Sequence, residues 1–166
     1  MKLTRRFTLL AGAAALAGCA SDSKFKTYRG PEVTRVIVNK GEREMFLLHH
    51  RKVLKRYRVD LGFAPEGHKR FEGDGRTPEG DYLIDRRNPN SSFHLSLGIS
   101  YPNEADIAFA ELHGKSPGGD IFIHGEPNAI AVLSPDWTAG CISVQNREME
   151  DVYAMVRSGT PITLNA

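Results

Sequence analysis

The chain has 166 residues, 40 % hydrophobic and 25 % charged, the composition of an ordinary soluble globular protein of about one domain. Its formal net charge is +2, but Lys2, Arg5 and Arg6 belong to a segment read as a cleaved leader, and without them 19 basic residues face 20 acidic ones. That balance argues against a nucleic-acid partner or a polybasic membrane-surface role.

The first residues read as an export signal. Lys2, Arg5 and Arg6 form a positive start, and Phe7–Leu16 form an apolar run too short to span a bilayer. Leu16-Ala17-Gly18-Cys19 resembles a bacterial lipobox, in which Cys19 would carry lipid and become the mature N-terminus. Thr4-Arg5-Arg6-Phe7 weakly resembles a twin-arginine signal. The expected organisation is a leader over 1–18, a polar tether over 19–32 and one folded unit over 33–166. Ala20 after the cysteine points to the outer membrane, so a periplasmic, lipid-anchored protein is expected. If Cys19 is lipidated, Cys141 has no intramolecular partner and no structural disulfide forms. An unpaired thiol in an oxidising compartment is either used or buried and inert.

From Val33 onward the pattern is β. Val33–Asn39, Glu44–His49 and Val53–Leu61 are short apolar runs separated by turn residues, as in an antiparallel meander. Gly62–Gly80 holds five glycines and two prolines and reads as a long functional loop, with Lys69, Arg70 and Arg76 as candidates to face a carboxylate-bearing substrate. Asp81–Arg86 resumes a strand, and Phe93–Tyr101 alternates apolar with small or polar residues as a half-buried strand does. Asn103 is the expected N-cap of a helix ending near His113-Gly114. Ile121–His124 is a strand, Asn146 is expected to cap a helix over Arg147–Val156, Gly159 to take its C′ position, and Thr160–Leu164 to close the sheet. The expected fold is mostly β with two short helices.

The chemistry concentrates in Ile121–Asn146. His124 ends a strand, Cys141 follows 17 positions later, and Gly140 opens the backbone beside the sulfur. A histidine that meets a thiol can take its proton, and such thiols fall to roughly 3.5–7.5. Amides at 140–142 are candidate donors to a developing oxyanion. Gly125 would let substrate backbone approach, Thr138 and Ser143 would orient the histidine or line the groove, and Trp137 would cover it or pack in the core. His49, His50, His68, His94 and His113 show no zinc-type spacing, no cofactor motif is present, and Gly-x-Ser-x-Gly is absent.

These residues resemble the L,D-transpeptidase (YkuD-type) family. The resemblance rests on His124-Gly125, on Thr138-Ala139-Gly140-Cys141-Ile142 with Asn146 beyond, on Thr77-Pro78-Glu79-Gly80-Asp81-Tyr82, and on Gly159-Thr160-Pro161-Ile162. It covers approximately 33–164 and implies a β-sandwich-like domain with the cysteine in a groove. It further implies Cys141 as acylated nucleophile, His124 as base, Gly140 in the catalytic turn and peptidoglycan stem peptides as substrate. The family often carries histidine where this chain has Ala139, and arginine where it has Ser143. The second departure bears on substrate choice. The resemblance leaves open transfer to an amine, hydrolysis, or a non-catalytic wall-binding lipoprotein.

Overall fold

The computed structural model describes residues 23–166 apart from 130 and 133, so the leader and Cys19 lie outside the described residues. Among the described residues eight strands and two helices follow in chain order: β1 (Arg35–Asn39), β2 (Glu44–His49), β3 (Lys52–Arg58), β4 (Gly80–Asn88), β5 (Ser96–Ile99), α1 (Glu104–Leu112), β6 (Phe122–His124), β7 (Ile142–Ser143), α2 (Asn146–Met155) and β8 (Pro161–Asn165). β1, β2 and β3 form the expected antiparallel meander. Val36, Val38, Met45 and Leu47 are fully buried at every second position, which places one face of the meander on the core.

The sheet order is β3-β2-β1-β8-β4-β5-β6-β7. Its β1–β8 and β6–β7 pairs are parallel and the others antiparallel. β4 serves both halves: residues 80–83 pair with β8 and Ile84–Asn88 with β5, and the register slips between Ile84 and Arg86. An irregularity of this kind bends a strand. The sheet therefore curls over a single core in a sandwich-like way, giving the mostly β, two-helix fold. α2 closes that core with Met149, Val152 and Met155, one face of a helix.

Several local expectations change. β5 is shorter than Phe93–Tyr101 and all four of its residues are buried, so the alternation does not mark a wet face. Its small residues are covered: a Cβ on Gly98 would come within 2.4 Å of Arg86 Cγ. Asn103 caps α1 as expected, with Asn103 Oδ1 accepting the Asp106 N–H and the Asp106 carboxylate accepting the Asn103 N–H, both at 3.0 Å. Asn146 is not a cap. Gln145 precedes α2, and Asn146 Oδ1 accepts the Glu126 N–H at 2.8 Å. Gly159 lies beyond the Val156 C-cap, in the turn to β8, with φ +89 and its N–H donated to Ile84 O at 2.7 Å.

The Gly62–Gly80 loop is fastened at three points. Lys40 is 2 % exposed, and its Nζ donates to Gly67 O at 2.6 Å, Thr77 O at 3.0 Å and Glu79 Oε1 at 2.7 Å. The Asp74 carboxylate accepts from the amides of Arg70, Phe71 and Arg76 and from Lys69 Nζ. His68 accepts the Glu79 N–H on Nδ1, so its Nε2 carries the hydrogen donated to Asp106 at 2.8 Å. These contacts correct two expectations about substrate charge: Lys69 is buried against Asp74, and the Arg70 guanidinium lies 4.4 Å from the Phe109 ring.

Candidate active site

β6 carries His124 between β5 and β7, paired with Ser96 on one side and Ser143 on the other. The imidazole is buried, with the Phe93 ring 4.6 Å away and the Trp137 ring 5.6 Å away in an edge-on arrangement. His124 Nδ1 lies 2.6 Å from Gly125 O. A carbonyl only accepts, so the hydrogen is on Nδ1 and Nε2 keeps a free lone pair.

Cys141 sits just before β7, half-buried, and its Sγ donates weakly to Asp120 O at 3.5 Å. Cys141 and His124 line one cavity of ≈ 280 Å³ together with Asn88, Ser91, Phe93 and Phe122. The structure thus brings the two expected chemical groups to one space, with the thiol bonded to the Asp120 carbonyl.

The turn around Cys141 is built by Thr138. Its hydroxyl donates to Cys141 O at 2.8 Å and accepts the Gly140 N–H at 3.2 Å. Its backbone pairs with Leu61 and Phe63, which ties the turn to the start of the Gly62–Gly80 loop. Gly140 has φ +130, and a Cβ there would lie 2.6 Å from Arg76 O. Glycine is required for both reasons. Thr138 takes the Gly140 amide, whereas the Cys141 N–H has no hydrogen-bond partner among the described residues.

Burial pushes the His124 imidazole below its ordinary range, with the Gly125 carbonyl opposing only in part. Burial also pushes the Cys141 thiol up, reinforced by the Asp120 carboxylate and opposed by the Phe122 amide and Lys69. Both shifts favour the uncharged forms, the protonated thiol and the neutral imidazole. This corrects the expectation of a thiol already lowered by its histidine: desolvation dominates at this site.

The remaining expected residues serve the protein rather than the cavity. Gly125 does not admit substrate, because a Cβ there would meet Asn146 Oδ1 at 2.5 Å and Phe93 O at 3.0 Å. Thr138 is buried inside the turn. Ser143 is buried in β7 and lines a second cavity of ≈ 160 Å³ with Trp137, Arg58, Asp60 and Glu148. Trp137 is half-buried and packs on Phe93 and His124, forming a wall between the imidazole and that second cavity. Arg76 contributes its carbonyl to the packing of Gly140, while its exposed side chain reaches toward Gly67. Phe93 and Asp120 were not found from sequence. The glycine-rich turn before Asp120 was the only local signal for either. Among the described residues no group of three or more His, Cys, Asp or Glu is placed to hold a metal ion, and no helix is long and apolar enough to cross a membrane.

The comparisons with known proteins agree with this fold. Residues 33–164 match the YkuD family model, described as the L,D-transpeptidase catalytic domain. YafK of Escherichia coli K12, which bears an L,D-transpeptidase name, is 27 % identical over 107 residues, 63 % of this chain and 38 % of YafK. The helical cell shape determining protein Pgp2 of Campylobacter jejuni superposes with a TM-score of 0.63 at 26 % identity, covering 87 % of this chain and 51 % of Pgp2. An L,D-transpeptidase of Mycobacterium smegmatis shares the fold with a TM-score of 0.54 at 13 % identity, over 81 % of this chain and 59 % of that one. The matched part spans about two fifths of YafK and half of Pgp2. The match over 33–164 places the chain in the YkuD L,D-transpeptidase catalytic domain family.

Proposed function

We propose that this domain is a peptidoglycan-modifying cysteine acyltransferase, an L,D-transpeptidase acting on stem peptides. The observation that carries the proposal is the shared cavity in which Cys141 lies with an imidazole whose Nδ1 is held by Gly125 O and whose Nε2 is free. Since the resting thiol is protonated, deprotonation accompanies attack: Nε2 takes the thiol proton as sulfur bonds to the peptide carbonyl carbon. The Cys141 amide stabilises the oxyanion, a donor of a kind whose loss typically costs about 2.7–4 kcal/mol of barrier. The C–N bond breaks, the departing amine takes the proton from the imidazolium, and a thioester remains on Cys141. An acceptor amine then attacks that carbonyl, giving up a proton through His124 while the sulfur leaves and is reprotonated. The outcome is a cross-link or attachment of a protein to the wall.

Cys141→Ala is the first test. Mass analysis of the protein after incubation with a stem peptide should show an acyl adduct that Cys141→Ala lacks. Mass analysis of the products should show new cross-links. Shortened peptides without cross-links would make the protein a hydrolase of the same fold, and no adduct with unimpaired wall binding would make it a binding module. We also propose a periplasmic location with lipid on Cys19, supported by the Leu16–Cys19 sequence. Loss of a metabolically incorporated fatty-acid label in Cys19→Ala tests this, and an unlabelled wild-type protein would refute it.

A further inference from the structure

Residues 23–32, the distal part of the expected tether, lie against the domain and reach the wall of the thiol cavity. Lys24 Nζ donates to Pro89 O at 2.7 Å and to His94 O at 3.1 Å, bridging 65 and 70 positions of chain. The segment between those carbonyls supplies Ser91, Ser92 and Phe93 to the cavity, and Phe93 lies 4.6 Å from the His124 ring. That segment belongs to no strand, and His94 holds a left-handed φ of +66, so sheet pairing does not fix it. The Gly125 N–H donates to Phe93 O and the Asn128 N–H to Ser92 O, both at 3.0 Å, Asn128 Nδ2 donates to Ser91 O at 3.2 Å, and further contacts come from side chains outside the segment. Asn128 Oδ1 accepts the His94 N–H at 3.0 Å, and Glu150 of α2 meets the His94 ring at 3.0 Å. Lys26 joins the same helix, 3.3 Å from Glu150 and 2.8 Å from Asp151. Of these contacts, only Lys24 grips both ends of the Pro89–His94 segment, and a charged donor makes a stronger bond to a carbonyl than a neutral one does.

We infer that Lys24 is a positioning residue for the thiol cavity: by gripping the carbonyls of Pro89 and His94, it holds Phe93 against the His124 ring. The segment that precedes the domain thereby braces the cavity wall from behind. The catalytic consequence rests on the reading of His124 as the base, while the structural consequence does not.

The test compares Lys24→Ala and Lys24→Arg with the wild type in the full chain. Three readouts apply: hydrogen exchange of the amides of residues 91–95, emission of Trp137, and kcat and KM for transfer between stem peptides. Trp137 is the sole tryptophan and its ring lies 5.8 Å from Phe93, so its emission reports this wall. In Lys24→Ala, exchange should speed up on the order of tenfold, the scale of losing a charge-assisted hydrogen bond. Trp137 emission should shift, and kcat should fall severalfold more than KM rises. Lys24→Arg retains a cation able to donate to both carbonyls and should restore all three. Unchanged exchange and emission in Lys24→Ala, or no recovery in Lys24→Arg, overturns the inference. A chain inactive on stem peptides that still shows both physical changes refutes the proposed chemistry and leaves the positioning role standing.

Discussion

Cys141 and His124 face the same cavity but are held by different kinds of structure. The cysteine turn rests on the Gly62–Gly80 loop, which is pinned from inside by Lys40, Lys69 with Asp74, and His68 with Asp106. The histidine sits on a short strand flanked by β5 and β7, and the ring covering it, Phe93, belongs to a segment outside the sheet, held by main-chain bonds from Gly125 and Asn128 and by the side chains of Lys24, Asn128 and Glu150. Buried charges and hydrogen-bonded polar groups hold strongly because breaking such a contact strands a polar group in a dry place. Partly exposed contacts are weaker and easier to change. The cysteine turn is thus locked by the fold, and the surroundings of the histidine are adjustable. If that contrast is real, damage on the cysteine side should be large and local or global, and damage on the histidine side should appear as tuning.

The largest effect is expected for Gly140→Ala. The substituted residue would need φ +130 and would drive its Cβ into Arg76 O, so the turn that aims the Cys141 amide must move. Losing one oxyanion donor costs about 10²–10³ in rate, and acylation of Cys141 followed by mass spectrometry should fall by about that factor. A variant within about tenfold of wild type would show that the turn tolerates the shift. Next comes Lys40→Met, which leaves the Glu79 carboxylate and two carbonyls without their donor. Because the Glu79 side chain is 25 % exposed, the fully buried penalty is discounted, and a loss of about 2 kcal/mol is expected in urea unfolding. A change under about 0.5 kcal/mol would place the loop's anchorage elsewhere.

The cysteine side was the more legible of the two in the sequence, though only in outline. Cys141, Gly140 and Thr138 lie within one turn, and their spacing announced a tight bend with a thiol at its end. The meander and the α1 cap were equally local: alternating Val and Leu residues, and Asn103 three residues before Asp106. Lys40 gave no such signal, because a lysine in a turn looks solvated until a loop 27 to 39 positions later closes over it. Lys24 was hidden for the same reason, reading as tether until Pro89 and His94 came within reach. Gly125, Asn146 and Ser143 were identified as special residues, but their partners were misplaced. Each is special because protein packs against it, and a short motif does not distinguish that from a space for substrate. Desolvation was the other invisible quantity: the protonation states of Cys141 and His124 follow from burial that no local pattern encodes.

A smaller effect should appear in acid. Burial alone would raise the Asp136 carboxyl, but Arg43, the Leu61 amide and Arg58 outweigh it and hold it below its ordinary value of 3.8. Asp74 is likewise held low against its burial by the amides of Arg70, Phe71 and Arg76 together with Lys69. A carboxyl lowered in the folded state contributes stability that is present above 3.8 and is lost as pH falls through the folded value. The protein should therefore lose stability below about pH 4, and Asp136→Asn should be less stable at neutral pH with a flatter acid dependence. Asp136 lies two residues before Thr138 and meets Arg43 at 2.7 Å, so parallel acid curves for wild type and Asp136→Asn would show that this pair does not support the cysteine turn.

The finest test falls on the histidine side. In the proposed reaction His124 must be neutral to act as base, and burial lowers its affinity for a proton below the ordinary value of 6.5. The sign follows directly: the neutral form persists as pH drops past 6.5, and activity is lost only as pH falls through the lowered value. The acid limb of the kcat/KM profile should then lie below pH 6.5 in the wild type. Phe93→Ala uncovers one side of the imidazole and relieves part of the desolvation, so its limb should move upward toward 6.5 with only a modest loss of rate at neutral pH. Lys24→Ala should shift the limb in the same direction by less, because Asn128 and Glu150 still hold the segment. A wild-type limb at or above 6.5 would mean that burial is not what sets the base. A Phe93→Ala limb identical to wild type would mean that Phe93 is not the cover, and the contrast between a locked cysteine and a tunable histidine would lose its second half.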